Sequence, residues 1–273
     1  LKDLGCSSNA ARLCQLYLAD DLSYKRDYKT VNSSLPQVLQ FVLTHTGMKS
    51  GLAERFRAIV HIAQHGGEIA RELIETRCQA GADIARMLHF PETVALGIAG
   101  LDEHWDGTGQ PERLKGNAIP LYSQIALLAQ VIDVFQISAG RRAALEEIKA
   151  RSGKWFSPEL VAAFQLVGSE DDFWEALTAV DLPARVFALT PAQMHAEVDE
   201  NYLDDIAAAF AKVVDSKSPF TAGHSERVTV FTDLIAQELG FDPAHRRWLK
   251  RAALLHDIGK LGVSNTILDK PAK

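Results

Sequence analysis

The chain has 273 residues, and its 29 Lys and Arg against 35 Asp and Glu give a formal net charge of −6 at pH 7. Hydrophobic residues make up 47% and charged residues 23%, a balance typical of globular rather than disordered proteins. The negative charge argues against partners such as DNA, RNA or an anionic membrane surface, because the long-range field repels phosphate.

The composition also indicates the cellular compartment of the protein. No window holds the roughly 20 apolar residues that a membrane span needs, so we expect no membrane span. The three cysteines, Cys6, Cys14 and Cys78, are an odd number and lack CxxC spacing. A disulfide framework and a zinc knuckle are therefore disfavoured, and the composition predicts a reducing, cytoplasmic setting.

Most of the sequence has the apolar periodicity of helices, with apolar residues at three- and four-residue intervals. The predicted helices cover residues 58–73, 80–88, 122–134, 203–214, 228–239 and 248–255. Asp242, followed by proline, predicts a helix N-cap, and Gly240 lies where the preceding helix would end. These patterns predict an all-α fold class.

Residues 168–200 interrupt this regularity. Pro183 and Pro191 lie in this stretch, and the residue before a proline disfavours the helical conformation. We predict a domain boundary near residue 185, which divides the chain into 1–185 and 186–273. The alternative is a loop inside a single helical bundle.

An internal echo links the two ends of the chain. Residues 1–6 (LKDLGC) match residues 255–260 (LHDIGK) in register, with Asp and Gly identical. The second copy has His256 and Lys260 where the first has Lys2 and Cys6. The echo predicts a duplicated helical domain in which one copy has lost its chemistry.

The second copy carries the strongest candidate site. His224, His256 and Asp257 are residue types that bind a divalent metal ion. Adjacent helical residues point about 100° apart, so His256 and Asp257 reach one ion at a helix end or across a cleft. Lys260 would then place a positive charge beside a phosphate oxygen. The alternative is that His256 caps its own helix and Asp257 forms a surface ion pair.

A second motif occupies residues 102–111 (DEHWDGTGQP). Its Asp-Gly pair, second glycine and proline predict a tight ordered loop, which Trp105 would anchor.

Together these motifs resemble the HD-GYP domain, the phosphodiesterase branch of the HD superfamily. His224 and residues 256–260 (HDIGK) resemble the opening of that domain. Residues 103–111, 114–116 and 119–120 resemble its later segment, and 153–160 its closing helix. The resemblance implies tandem HD-domain helical bundles, in an internal portion of a longer protein.

The N-terminal copy departs from the family pattern at its metal-ligand positions. The residues that occupy these positions, or neighbour them in the motif, are Lys2, Arg77, Leu101, Asp102, Gln130, Cys6 and Gln110, and only Asp3 matches a ligand. The resemblance therefore implies that 1–185 is a metal-free, degenerate HD-GYP domain with a trailing linker. It implies that 186–273 is the start of a second such domain with an intact HD motif. A permuted single domain, with 200–273 packed onto 7–165, is the alternative.

The resemblance also implies an activity. Family members with a complete site hydrolyse cyclic dinucleotides, such as cyclic di-GMP or cyclic GMP-AMP, in bacterial second-messenger signalling. They use iron or manganese ions, and Phe220, where some members carry a Glu for a third ion, implies two divalent ions here. His224, His256 and Asp257 would be metal ligands, and Asp257 and Lys260 the catalytic residues.

Two other function classes remain open from the sequence. One is a non-catalytic HD-type signalling module for binding or dimerisation, for instance as a homodimer. The other is an HD-type nucleotide phosphohydrolase, which the loop at 106–111 disfavours.

Overall fold

The computed structural model describes residues 4–21, 24, 35–48, 50–190 and 198–270. Lys2 and Asp3 of the sequence echo lie outside the described residues. Within the described ranges the regular structure is helical without strands, which confirms the all-α fold class.

The α-helices follow one another along the described chain, with short 3₁₀ segments between some of them. In chain order they are α1 (Ala10–Tyr17), α2 (Leu35–His45), α3 (Leu52–Met87), α4 (Glu92–Ala99), α5 (Leu121–Ala150), α6 (Pro158–Ser169), α7 (Asp171–Thr178), α8 (Leu182–Ala188), α9 (Glu200–Asp215), α10 (His224–Glu238), α11 (Pro243–Leu255) and α12 (Asn265–Leu268). The 3₁₀ segments are Leu4–Asn9, Gly116–Ala118, Pro219–Thr221 and Ile258–Gly262.

The predicted helices fall on observed ones, with one difference. Residues 58–73 and 80–88 belong to the single long helix α3 rather than to two helices. No proline separates them, and an internal glycine weakens a helix without ending it. The Asp242 side chain accepts hydrogen bonds from the amides of Ala244 and His245, which confirms the predicted N-cap. Gly240 has a φ of +76°, as a residue just past a helix end requires.

The described residues group in space into two compact units. One combines Leu1–Ala99 with Asn201–Lys273, and the other is Gly100–Glu200. The first unit thus draws on sequence from both sides of residue 185. The boundary between sequence copies near that residue stays a prediction.

Helices α3 and α9 share a core in the first unit. Ile84 of α3 packs with Ala209 and Val213 of α9, and all three are buried. The Tyr202 hydroxyl of α9 donates a hydrogen bond to the Leu88 carbonyl at 3.1 Å. Residues more than a hundred positions apart are therefore joined by both apolar and polar contacts.

The second unit is built around α5. By length and composition α5 is long and apolar enough to cross a membrane, and it is the one described helix that is. Its backbone leaves the helical conformation at Gly140. Buried residues from α5 to α7 form one cluster: Leu127, Leu128, Val131, Ile132, Ala144, Ile148, Phe156, Val161, Phe164 and Trp174. These contacts place one side of α5 in the core of this unit, while only 22% of its apolar window is buried.

Candidate metal centre

The position of His224 is set by the end of α9. Asp215, the last residue of α9, is buried, and its carboxylate accepts hydrogen bonds from both the backbone amide and the hydroxyl of Ser225, at 3.1 and 2.7 Å. Gly223, just before α10, has a φ of +64°, a left-handed conformation that favours glycine. The carboxylate therefore anchors the first turn of α10, where His224 begins the helix.

Ion pairs join α10 to α11. Asp233 of α10 accepts two hydrogen bonds from the Arg246 guanidinium of α11, both at 2.9 Å. The Lys250 ammonium lies 3.0 Å from the same carboxylate. These hydrogen bonds hold the pKa of Asp233 below its usual range. The two helices that supply the histidines are thus fixed to each other by charged contacts.

His256 lies at the C-terminal end of α11, as the sequence predicted for a residue that shares an ion with Asp257. Its Nδ1 is 2.7 Å from the Ala253 carbonyl oxygen, within hydrogen-bonding distance. In the tautomer that donates this bond, Nε2 keeps its lone pair for a ligand.

The three predicted ligands converge. One donor atom each from His224, His256 and Asp257 lies within 4.8 Å of the other two. The Asp257 Oδ2 atom is 3.6 Å from His224 Nε2 and 3.2 Å from His256 Nε2. The carboxylate is 17% exposed and the two imidazoles 38% and 37%, so the group opens towards solvent. Two imidazole nitrogens and one carboxylate oxygen fit a divalent first-row metal ion.

Lys260 contacts this group directly. Its ammonium donates a hydrogen bond to Asp257 Oδ2 at 2.5 Å, from the 3₁₀ segment Ile258–Gly262. Burial raises the pKa of Asp257, but the hydrogen bond from Lys260 and the electrostatic interactions with neighbouring groups outweigh it, so this pKa is lowered. The carboxylate therefore carries its negative charge at neutral pH.

The described residues at the substituted positions of the N-terminal copy form no comparable group. Among the described residues, the one cluster of three His, Cys, Asp or Glu side chains close enough for an ion is that of His224, His256 and Asp257. Leu101 is buried, Arg77 lies within α3, and Gln130 lies within α5. The absence of a metal from this copy stays a prediction.

The second motif forms the ordered loop that its glycines predicted. A Cβ atom on Gly109 would lie 2.1 Å from the His104 backbone nitrogen, so the chain passes too closely for a side chain. The buried Glu103 carboxylate accepts hydrogen bonds from the amides of Glu112 and Leu114, at 2.7 and 2.9 Å. Burial raises the pKa of Glu103 despite these bonds. The Glu103 carboxylate thus holds the loop together from inside, and the anchoring role predicted for the Trp105 side chain stays a prediction.

Three buried polar residues in the same unit as the candidate centre had no signal in the sequence. Asp215, Lys217 and Asn265 are buried polar residues in no motif that we identified. A buried acid at the end of an apolar helix is recognisable only once its burial is known.

Comparisons with known proteins identify the family of this chain. Two models described as HD domain match residues 48–160 and 221–273. The chain is 57% identical over 273 residues to "3'3'-cGAMP-specific phosphodiesterase 3" of Vibrio cholerae serotype O1, covering all of this chain and 59% of that protein. It is 34% identical over 130 residues to "3'3'-cGAMP-specific phosphodiesterase 1" of the same organism, covering 46% of this chain and 30% of the relative.

A solved structure is also similar. The crystal structure of a cyclic GMP-AMP specific phosphodiesterase of V. cholerae, V-cGAP3, matches with a TM-score of 0.64 and 50% identity, covering all of this chain and 66% of that one. The chain thus spans about three fifths of the length of the curated relative it matches throughout. From the two domain matches and these likenesses, the chain belongs to the HD-domain family.

Proposed function

We propose that the protein carrying this chain is a metal-dependent phosphodiesterase that hydrolyses cyclic dinucleotides, 3'3'-cGAMP or cyclic di-GMP. The observation that carries this proposal is the convergence of His224, His256 and Asp257 on one point. Support comes from the 57% identical relative, whose name specifies 3'3'-cGAMP.

In this proposal, three residues would bind the metal ion and Lys260 would compensate negative charge. His224, His256 and Asp257 would hold a divalent ion, which would supply Lewis-acid polarisation of a phosphodiester. The hydrogen bond between His256 and Ala253 fixes the imidazole plane before an ion arrives. The Lys260 ammonium offsets the Asp257 charge. In this proposal it would also contact a substrate phosphate oxygen.

We further propose that the metal is iron or manganese, bound as a pair. A pair of ions draws on more donors than these three side chains, so other residues would complete the set. We also propose a cytoplasmic location, supported by the odd number of cysteines and their spacing.

The test uses the natural protein loaded with iron or manganese. His256→Ala should abolish both metal content and hydrolysis of 3'3'-cGAMP and cyclic di-GMP, because a ligand is lost. Lys260→Ala should retain the metal yet lose about 100- to 1000-fold in turnover, the usual effect of removing a contact to developing charge. Metal content and turnover are measured by elemental analysis and nucleotide chromatography.

The matched control is His245→Ala, which removes an exposed histidine of α11 that is hydrogen-bonded to Asp242. It should leave metal content and turnover near wild type. Full metal content in His256→Ala would contradict the proposed site. A wild-type protein that binds both nucleotides without hydrolysing them would favour the non-catalytic signalling module.

A further inference from the structure

A buried polar cluster connects the beginning of the chain to the turn that carries Lys260. Asp21, Lys217 and Asn265, which we call the clasp, are each at most 3% exposed. Asp21 Oδ2 lies 3.5 Å from the Lys217 ammonium. Asp21 Oδ1 accepts a hydrogen bond from the backbone amide of Asn265 at 3.0 Å. The Asn265 side chain in turn donates to the Lys217 carbonyl at 2.8 Å. Three segments distant in sequence are thereby joined.

The clasp reaches the candidate centre through one carbonyl group. The Lys217 ammonium donates a hydrogen bond to the Leu261 carbonyl at 3.3 Å. Leu261 directly follows Lys260 in the 3₁₀ segment Ile258–Gly262, which itself begins just after Asp257. Asn265 begins α12, the next element along the chain. The turn is therefore held on its C-terminal side by the clasp.

The energetics argue that the clasp does more than stabilise the fold. Removing two charges from water costs several kcal/mol per ion, and replacing a buried pair by apolar groups is often neutral or stabilising. Asp21 Oδ2 accepts no hydrogen bond from the described residues, so the ion pair is not an ideal one. An apolar pair could not form the directional hydrogen bonds to the Leu261 carbonyl and from the Asn265 backbone amide.

We propose that Asp21 and Lys217 are positioning residues for the metal-site turn. Lys217 holds the Leu261 carbonyl, and Asp21 holds both the Lys217 ammonium and the start of α12. The N-terminal segment thus helps to orient Asp257 and Lys260, although it supplies no ligand. The part of this proposal that concerns the metal rests on the proposed function.

The test compares Asp21→Asn, Lys217→Met and the double variant in the full chain. Two readouts are used: Mn²⁺ affinity by electron paramagnetic resonance, and hydrogen exchange at the Lys260 and Val263 amides, which bond to the Asp257 and Lys260 carbonyls. The double variant should fold with near wild-type stability, because no uncompensated charge remains. It should still bind Mn²⁺ about 10-fold more weakly, as outer-shell substitutions do, and exchange faster in the turn.

The control variant is Arg12→Met with Glu72→Gln, which removes an exposed ion pair between α1 and α3 with a Nε–Oε1 distance of 3.0 Å. It should change neither readout. Wild-type Mn²⁺ affinity and unchanged exchange in the double variant would overturn the proposal.

The two proposals fail in different ways. If Mn²⁺ binding does not depend on His256, the proposed metal site fails and turn exchange alone decides the clasp. Faster exchange then supports the clasp, and unchanged exchange overturns it.

Discussion

At the residue scale, one carboxylate sets the geometry of the first ligand. The Asp215 carboxylate accepts hydrogen bonds from both the backbone amide and the hydroxyl of Ser225, so it anchors the turn immediately next to His224. Charged acceptors form stronger hydrogen bonds than neutral ones, and a buried donor left without its partner is costly. The first turn of α10, which begins with His224, is therefore anchored by a residue outside the three candidate ligands.

We expect Asp215→Asn to lower the free energy of unfolding by about 1.5–3 kcal/mol, because a charged acceptor becomes neutral and one of its oxygens becomes a donor. We also expect weaker Mn²⁺ binding, since the first turn of α10 loosens. Urea denaturation and Mn²⁺ titration measure the two effects. Glu238→Gln, on an exposed position of the same helix, should change neither. Wild-type Mn²⁺ affinity in a destabilised Asp215→Asn protein would show that His224 does not depend on this anchor.

At the scale of elements, the two glycines that match in the sequence echo, Gly5 and Gly259, have different surroundings. A Cβ atom on Gly5 would lie 1.9 Å from the Arg77 carbonyl oxygen and 2.7 Å from the Gly81 nitrogen of α3. Gly259, the matching residue of the second copy, has no atom within 4 Å of the same position. The first glycine thus permits close packing of the segment Leu4–Asn9 on α3, while the second lies in an open turn.

Gly5→Ala should therefore destabilise the protein by about 3 kcal/mol, at the upper end of overpacking costs, because rigid backbone must move. Thermal unfolding followed by circular dichroism measures this loss. Gly67→Ala is the matched control, since it lies within α3 with open space around it. It should stabilise the helix by about 0.5–1 kcal/mol. Equal effects of the two substitutions would show that Leu4–Asn9 does not pack closely on α3.

At the scale of the whole molecule, the first unit is assembled from both ends of the sequence. The shared core of Ile84, Ala209 and Val213 means that α3 and α9 gain burial from each other. The exposed His89 and Asp205, 2.9 Å apart between Nε2 and Oδ2, add a surface contact beside this core. Such an arrangement predicts that the two segments lose their structure together.

We expect Ile84→Ala to lower the free energy of unfolding by about 2–5 kcal/mol, through lost burial and a cavity. Hydrogen exchange followed by mass spectrometry should show weaker protection in α9 as well as in α3. Ile137→Ala, at a position 78% exposed in the second unit, should have little effect. Loss of protection confined to α3 would contradict a shared core.

The sequence by itself determined the fold class and the residues of the candidate centre. Helical periodicity depends on neighbours three and four residues apart, and a cap such as Asp242 depends on the next three, so both are readable locally. The residue types of His224, His256 and Asp257 predicted a metal site in the same way, and the structure brings these three side chains together. The division of α3 into two predicted helices was wrong, because a gap in apolar spacing does not break a helix that lacks proline.

Only the tertiary structure decided which distant residues contact the elements that carry that centre. It pairs the charges of Asp21 and Lys217. It also forms the hydrogen bonds from Ser225 to Asp215 and from Lys260 to Asp257. It also grouped residues 201–273 with residues 1–99. These contacts depend on which helix faces bury each other, and a pairing across some two hundred residues leaves no periodic trace in the chain. The physical reason is that burial gives a polar side chain its importance, and burial is a property of the packed molecule.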